Sequence, residues 1–340
     1  MIEQFEFGIA ALLASAAICF GLLLLLYPLL AGYALAKPNA RSSHLTPTPQ
    51  GGGIAVLGAT TLVLAGAVFF GASNFQNPFA LSLVFFCAVA LAGVGAIDDI
   101  RPLQPTLRLA LQTAAVIILV VALPSALRIF SALPWWIERT LLFVALLWFI
   151  NLVNFMDGID WMTVAEVVPV TAGLALFGLM GALPRDATLV AFALCGAMIG
   201  FAPFNRPVAK LFLGDVGSLS IGLLVGWLLI VLAGEGHLLA ALLLPLYYLA
   251  DATLTLLRRL VNGENILHAH RSHFYQRAMD KGYSVNQIVG SVFVINIILC
   301  GLAAITVISP SIPLRGLAAI IAGVMVGSLL LKFNGMRLVG

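Results

Sequence analysis

Charge is what this sequence has least of: 17 Lys+Arg and 14 Asp+Glu among 340 residues, or 9% of the chain, against about 25% in an ordinary soluble domain. That scarcity excludes a water-soluble fold of this size. It also excludes disorder, which goes with high charge and few apolar residues. Cysteine is scarce too. Cys19, Cys87, Cys195 and Cys300 lie far apart inside apolar stretches, without the spacing of a disulfide framework or a zinc site, and read as small buried hydrophobes. The formal net charge of +3 is too slight to argue for a nucleic-acid partner. What is abundant is apolar surface: 62% hydrophobic residues and a mean hydropathy of +1.10, where roughly 45–50% apolar is usual, so the excess has to face lipid.

Polar breaks divide the chain into eleven apolar stretches, at residues 8–35, 53–70, 79–97, 106–123, 135–153, 164–183, 188–204, 217–234, 238–257, 285–308 and 313–331. At about 20 residues per span they predict an all-α polytopic membrane protein of about eleven transmembrane helices, a single domain over residues 1–340 joined by short loops. The first stretch follows Glu3 and Glu6 rather than a basic segment and is too long for a signal-peptide core, so it is expected to be retained. Alternating the loops places 13 of the 17 basic residues on one side and leaves Arg128, Arg139, Arg185 and Arg315 on the other. The positive-inside rule makes the basic side cytoplasmic, the N-terminus external and the C-terminus cytoplasmic. Trp135 and Trp136 then fall at the external edge, as an aromatic belt.

The cytoplasmic segments 36–52, 98–105, 151–163, 205–216 and 258–284 hold nearly all the chemistry-bearing side chains, including four of the five histidines, His44, His268, His270 and His273. Charges at the ends of apolar helices are costly unless a ligand compensates them, so the pattern reads as a site. Asp98 and Asp99 are adjacent acids that repel unless a cation or a proton lies between them. Asn154, Asp157 and Asp160 recur at steps of three, which predicts oxygen ligands along one helical face. Asp215 follows Gly214 at the predicted start of a helix. Oxygen donors with no cysteine and few histidines favour Mg²⁺ or Mn²⁺ over zinc. The run from His268 to Arg277 gathers imidazoles and guanidinium groups suited to phosphate oxygens. A basic patch for anionic membrane lipids is the plainer reading of that run. Gly51-Gly52-Gly53 could let backbone approach a phosphate or simply start a helix. Acids for a metal, bases for phosphates and a lipid-facing body together suggest phosphoryl transfer at a membrane surface.

The motifs Arg41-Ser-Ser-His-Leu-Thr-Pro-Thr-Pro-Gln-Gly-Gly-Gly53, Asp98-Asp99, Asn151-Leu-Val-Asn-Phe-Met-Asp-Gly-Ile-Asp160, Phe212-Leu-Gly-Asp-Val-Gly-Ser218 and His270-Arg-Ser-His-Phe-Tyr-Gln-Arg277 resemble the polyprenyl-phosphate N-acetylhexosamine-1-phosphate transferases, in that family's own order. The resemblance implies a multi-pass enzyme of the bacterial inner membrane with its active site on the cytoplasmic face. It would transfer a sugar 1-phosphate from a UDP-N-acetylhexosamine to undecaprenyl phosphate, release UMP and require Mg²⁺, at the start of O-antigen or another envelope polysaccharide. By motif, Asp215 and Asn154 are implied as metal ligands. Asp98 and Asp99 are implied at the lipid phosphate, Asn151, Asp157 and Asp160 at the nucleotide sugar, and Arg108, His270, Arg271 and His273 at its phosphates, with Arg41 and His44 as further contacts. A homodimer is compatible with this class. The chain departs from the pattern at Trp161, where many members have Gly. Arg271-Ser272-His273 stands in place of three consecutive histidines and Pro49 in place of Met, which favours an amino-sugar donor over the muramoyl-pentapeptide donor of the sister branch and leaves GlcNAc, QuiNAc and FucNAc open. A secondary transporter or flippase is the rival class; its signature would be ionisable groups at mid-membrane, and only Asp251 lies well inside a late span, where Arg258 or another neighbour is expected to hold it.

Overall fold

Backbone in a medium without water has to satisfy its own hydrogen bonds, and this chain does so with helices. The computed structural model describes residues 2–36, 47–70, 77–264 and 271–335. In chain order the helices are α1 (Ile2–Tyr33), α2 (Gly53–Phe69), α3 (Pro78–Ile100), α4 (Pro105–Ala122), α5 (Trp135–Met156), α6 (Met162–Leu179), α7 (Arg185–Phe201), α8 (Asp215–Leu232), α9 (Leu238–Leu243), α10 (Leu246–Val261), α11 (Phe274–Asp280), α12 (Val285–Ile308) and α13 (Ile312–Phe333). The all-helical expectation has one small exception, an antiparallel pair of two-residue strands, β1 (Leu35–Ala36) and β2 (Thr48–Pro49), extended by a bridge from Gln50 to Phe212.

Among the described residues, eight helices are long and apolar enough to cross a membrane: α1, α3, α4, α5, α6, α8 continued through a π-helical turn into α9, α12 and α13. The other expected spans differ in length or continuity. Helices α2 and α7 have 17 residues each. The stretch 238–257 is divided between α9 and α10 at Pro245, which has no N–H with which to continue a helix.

Helix α8 is the hub, buried from Val216 to Leu232. Glycines let its neighbours come close: a Cβ at Gly95 would overlap the backbone of Asp215 and Val216, and one at Gly53 the backbone of Gly217. Small residues at such crossings are what bring helix backbones together in lipid. The packing pins α3 and α2 against the first turn of α8, and that turn carries Asp215. At the far end of the bundle, buried Glu138 accepts from the Ile129 and Phe130 N–H groups at 2.5 and 3.0 Å and from Arg128, while Arg139 donates to Pro124 O at 2.7 Å. These charges close the α4–α5 loop.

Candidate active site

The site forms where the C-terminal ends of α3, α5 and α10 meet the N-terminal ends of α4, α6 and α8. Asp99 ends α3 beside the open N-terminus of α8. Its Oδ1 accepts from Asp215 N at 2.9 Å and its Oδ2 from Val216 N at 3.2 Å. A carboxylate there satisfies N–H groups that lack a partner within the helix and lies at the positive end of the helix dipole. Gly214, at φ 77°, makes the turn that presents those groups, and a Cβ on it would press on Asp99 Oδ2. Gln50 ties in the β2 segment by donating to Asp99 O at 2.8 Å.

Asp98 points the other way. Its Oδ1 accepts from Leu103 N at 2.6 Å, and its Oδ2 lies 2.9 Å from Arg108 Nη1. The same Nη1 is 3.0 Å from Asp215 Oδ2, so one guanidinium bridges two carboxyls. Asn154, in the last turn of α5, donates to Asp215 Oδ1 at 2.7 Å and to Ser218 Oγ at 2.9 Å. The two residues implied as metal ligands are thus in contact. Asp98 and Asp99, expected to repel unless a cation or a proton lies between them, each take a separate partner: Arg108 for one, the start of α8 for the other.

Asp157 and Asp160 do not share a helical face with Asn154. Helix α5 ends at Met156, and both acids sit on the turn before α6, because Asp157 at φ −82°, ψ 49° has already left the helix and Gly158 follows it. Asp157 accepts from the Thr163 hydroxyl. Burial, reinforced by the nearby negative charges of Asp99 and Asp160, pushes its carboxyl up to about 7, against the lowering effect of that hydroxyl. Asp160 Oδ2 accepts from Ala209 N at 2.9 Å and so grips the loop that leads to Asp215. Trp161, the family's departure from Gly, adopts the left-handed conformation a glycine would take, at φ 63°. Its N–H donates to Asn205 Oδ1 at 2.7 Å and its indole Nε1 to Ala202 O at 2.7 Å. Asn151 turns away toward the bundle interior, donating to Gln112 Oε1 and Leu147 O, both at 2.8 Å.

On the basic side, Arg271 pairs with Asp280 at 3.2 Å, while its Nε is buried without a hydrogen-bond partner among the described residues. His273 is nearly buried, with Nδ1 3.2 Å from Asp251 Oδ1. Asp251 is held by this loop and not by Arg258, whose Nη2 donates instead to Ser272 O at 2.6 Å. Arg41, His44 and His270 lie outside the described residues. The glycine run is occupied by backbone pairing: Gly52 N donates to Phe212 O and Gly53 N to Leu213 O, both at 2.9 Å.

Sequence reasoning missed Gln50, Gln112, Thr163 and Asn205. Gln112 alone carried a signal, since it follows Arg108 by one helical turn on an otherwise apolar helix.

Among the described residues, no three His, Cys, Asp or Glu side chains converge as a ready metal site. The donor chemistry still suits a hard divalent ion. Asp98 and Asp215 meet at Arg108, Asp99 caps the turn that carries Asp215, Asp157 lies within electrostatic reach of Asp99 and Asp160, and the orientation of the Asn154 amide leaves its Oδ1 for a ligand. Mg²⁺ commonly takes one or two protein oxygens and completes its shell with water and substrate phosphates.

The sequence comparisons agree with this geometry. Residues 81–233 match the family model described as Glycosyl transferase family 4. The chain is 26% identical over 342 residues to a decaprenyl-phosphate N-acetylglucosaminephosphotransferase of Mycobacterium tuberculosis, covering 86% of this chain and 80% of that protein. It is 27% identical over 294 residues to a Bacillus subtilis protein named "Probable undecaprenyl-phosphate N-acetylglucosaminyl 1-phosphate transferase", covering 80% and 78%. A phospho-N-acetylmuramoyl-pentapeptide-transferase of Streptococcus pneumoniae is 29% identical over 247 residues, covering 67% and 73%. The matched segment contains the acidic half of the site, and the relatives extend the likeness over most of the chain, so the protein is similar to glycosyl transferase family 4 and to these polyprenyl-phosphate sugar-phosphate transferases.

Proposed function

We propose that the protein transfers an N-acetylhexosamine 1-phosphate from its UDP-linked donor to undecaprenyl phosphate, releasing UMP, on the cytoplasmic face of a bacterial inner membrane. The observation that carries this reading is Arg108 bridging Asp98 and Asp215, with Asn154 on the far side of Asp215, at the end of the bundle where Arg271 also lies. The polyprenyl-phosphate relatives support the acceptor, and the basic loops support eleven spans with an external N-terminus.

In the reaction, an oxygen of the lipid phosphate attacks the phosphorus that bears the sugar. A new P–O bond forms, the P–O bond to UMP breaks, and its electron pair leaves on the UMP phosphate. The acceptor is already an anion near neutral pH, so no strong base is required. Both Asp98 oxygens already accept hydrogen bonds, from Leu103 and Arg108, which favours direct attack over a covalent intermediate on Asp98. Arg108 holds Asp215 and Asp98 together and offsets charge as the diphosphate approaches. Asp99 keeps the first turn of α8 in place, and Asn154 orients Asp215. Asp215 and Asn154 would hold Mg²⁺, which supplies charge neutralisation on the diphosphate when bound. Arg271, which the structure pairs with Asp280, would offset charge on the leaving phosphate.

Purified protein given undecaprenyl phosphate, Mg²⁺ and a panel of UDP-sugars should release UMP and yield the sugar-diphospho-lipid with an amino-sugar donor. Product only from UDP-muramoyl-pentapeptide would assign the chain to the activity named for the S. pneumoniae relative. Movement of substrate without UMP release would make it a transporter.

A further inference from the structure

Asp251 is a carboxylate with no solvent exposure, one helical turn into α10, in a position the transfer chemistry does not use. It collects five donors. Tyr247 Oη and Thr255 Oγ1, from its own helix, lie at 3.2 and 3.4 Å. The other three come from the basic segment: His273 Nδ1 at 3.2 Å, Phe274 N at 3.0 Å and Tyr275 N at 3.2 Å. The two amides belong to the first turn of α11, where helix geometry supplies no intrahelical acceptor. A buried carboxylate with this many donors is stable only while the loop stays docked, because undocking leaves a charge unpaired in the protein interior.

The docking has a second contact. Tyr275 is fully buried; its hydroxyl donates to Phe155 O at 3.1 Å and accepts from Gln276 Nε2 at 3.0 Å. It sits directly beneath Gly158, where a Cβ would overlap it. Burial pushes the phenol's pKa up, so it stays a neutral donor. Phe155 and Gly158 belong to the turn that carries Asp157 and Asp160. The segment bearing Arg271 is therefore tied at one end to α10 and at the other to the acidic turn.

We propose that Asp251 and Tyr275 are positioning residues that set the arginine–histidine segment at a fixed distance from the acidic turn, and so tune affinity for the nucleotide-sugar diphosphate. This rests on the transferase reading above. Neither residue touches substrate; each acts through Arg271 and the Asp157–Asp160 turn. Because the lipid phosphate is assigned to Asp98, which neither Asp251 nor Tyr275 contacts, its binding should be indifferent to both.

The test uses full-length protein in detergent or nanodiscs, with Asp251→Asn and Tyr275→Phe. Hydrogen exchange should quicken by about tenfold or more at the Phe274 and Tyr275 amides in Asp251→Asn, and not in Tyr275→Phe. Donor KM should rise roughly tenfold in the first variant and several-fold in the second, with the acceptor KM unchanged in both. A purely structural role would lower the apparent kcat through loss of folded protein and leave both KM values unchanged. The proposal is overturned by unchanged exchange in Asp251→Asn, by a donor KM within about twofold of wild type in the variants, or by equal loss of acceptor affinity. If Asp251→Asn cannot be isolated folded, Tyr275→Phe decides by the same KM criterion. If the wild type releases no UMP from any donor, the transferase reading fails on its own. The positioning claim is then judged by exchange and by calorimetric UMP binding, which the variants must weaken.

Discussion

Replacing Arg108 by Ala removes the only described cation that touches both Asp98 and Asp215. The side chains of Arg108, Asp98 and Asp215 are 23%, 9% and 28% exposed, and the two contacts measure 2.9 and 3.0 Å. At an effective dielectric near 20, each contact has a gross attraction of about 5 kcal/mol, most of it offset by desolvation. Removing one partner of a fully buried pair costs about 3–5 kcal/mol, and removing one from an exposed pair about 0–1 kcal/mol. The intermediate burial here places the loss at about 2–3 kcal/mol, or about 30- to 150-fold in a folding equilibrium. A fluorescence-based thermal melt of the detergent-solubilised protein should therefore fall clearly below wild type. The double variant Asp98→Asn, Arg108→Ala removes the stranded acid as well, so it should melt above the single variant. UMP release should fall on the order of a hundredfold or more in both, because neither restores a guanidinium to the site. An unchanged melt in Arg108→Ala, or a double variant no more stable than the single, would refute the bridging argument.

Asp215→Ala should abolish turnover while the protein still inserts and elutes as a folded species; near-normal UMP release with Mg²⁺ would remove Asp215 from the mechanism. The Asp157 carboxyl, pushed from 3.8 up to about 7, favours the fold in its protonated form. That contribution is complete below about pH 4 and is lost as pH rises through 7. Melting temperature should accordingly decline between pH 5 and 8 in wild type and decline less in Asp157→Asn, and parallel curves would show that the carboxyl titrates elsewhere. Gly95→Ala would drive a methyl into the backbone of Asp215 and Val216. It should cost about 1–3 kcal/mol by overpacking and lower UMP release by displacing Asp99 from the start of α8. Wild-type melting and activity together would contradict the close-packing account.

Much of the site was legible before any coordinates, because acids and cations stranded at the ends of apolar stretches stand out against a background with so little charge. Asp98, Asp99, Arg108, Asn154, Asp157, Asp160, Asp215 and Arg271 were all named on those grounds or by motif. The helical-face reading of Asn154, Asp157 and Asp160 failed for a local reason. A step of three residues has the same appearance in a helix and in a turn, and here the helix ends at Met156 before the first acid. His273 and Asn151 were assigned to substrate by motif; in the structure His273 Nδ1 lies against Asp251, and Asn151 donates to Gln112 and Leu147. Trp161 stood out as a departure from the family, but its left-handed backbone and its two bonds to the 202–205 segment could not be read from its neighbours.

Composition and hydropathy by themselves determined that the chain is helical and lives in lipid, since continuous apolar runs of about 20 residues span a bilayer as helices, whereas the strands of a closed barrel are about half that length and alternate in polarity. They also determined which side chains are chemically able to serve phosphates. Which partner each one takes was decided by the packing of α8. Asp99 reaches amides 116 and 117 residues away, and Arg108 reaches a carboxyl 107 residues away, only because glycines let α2 and α3 close on one helix end. Hydrogen-bond choice among several nearby acids depends on distances of a few tenths of an ångström, and those distances arise from helix contacts distant in sequence.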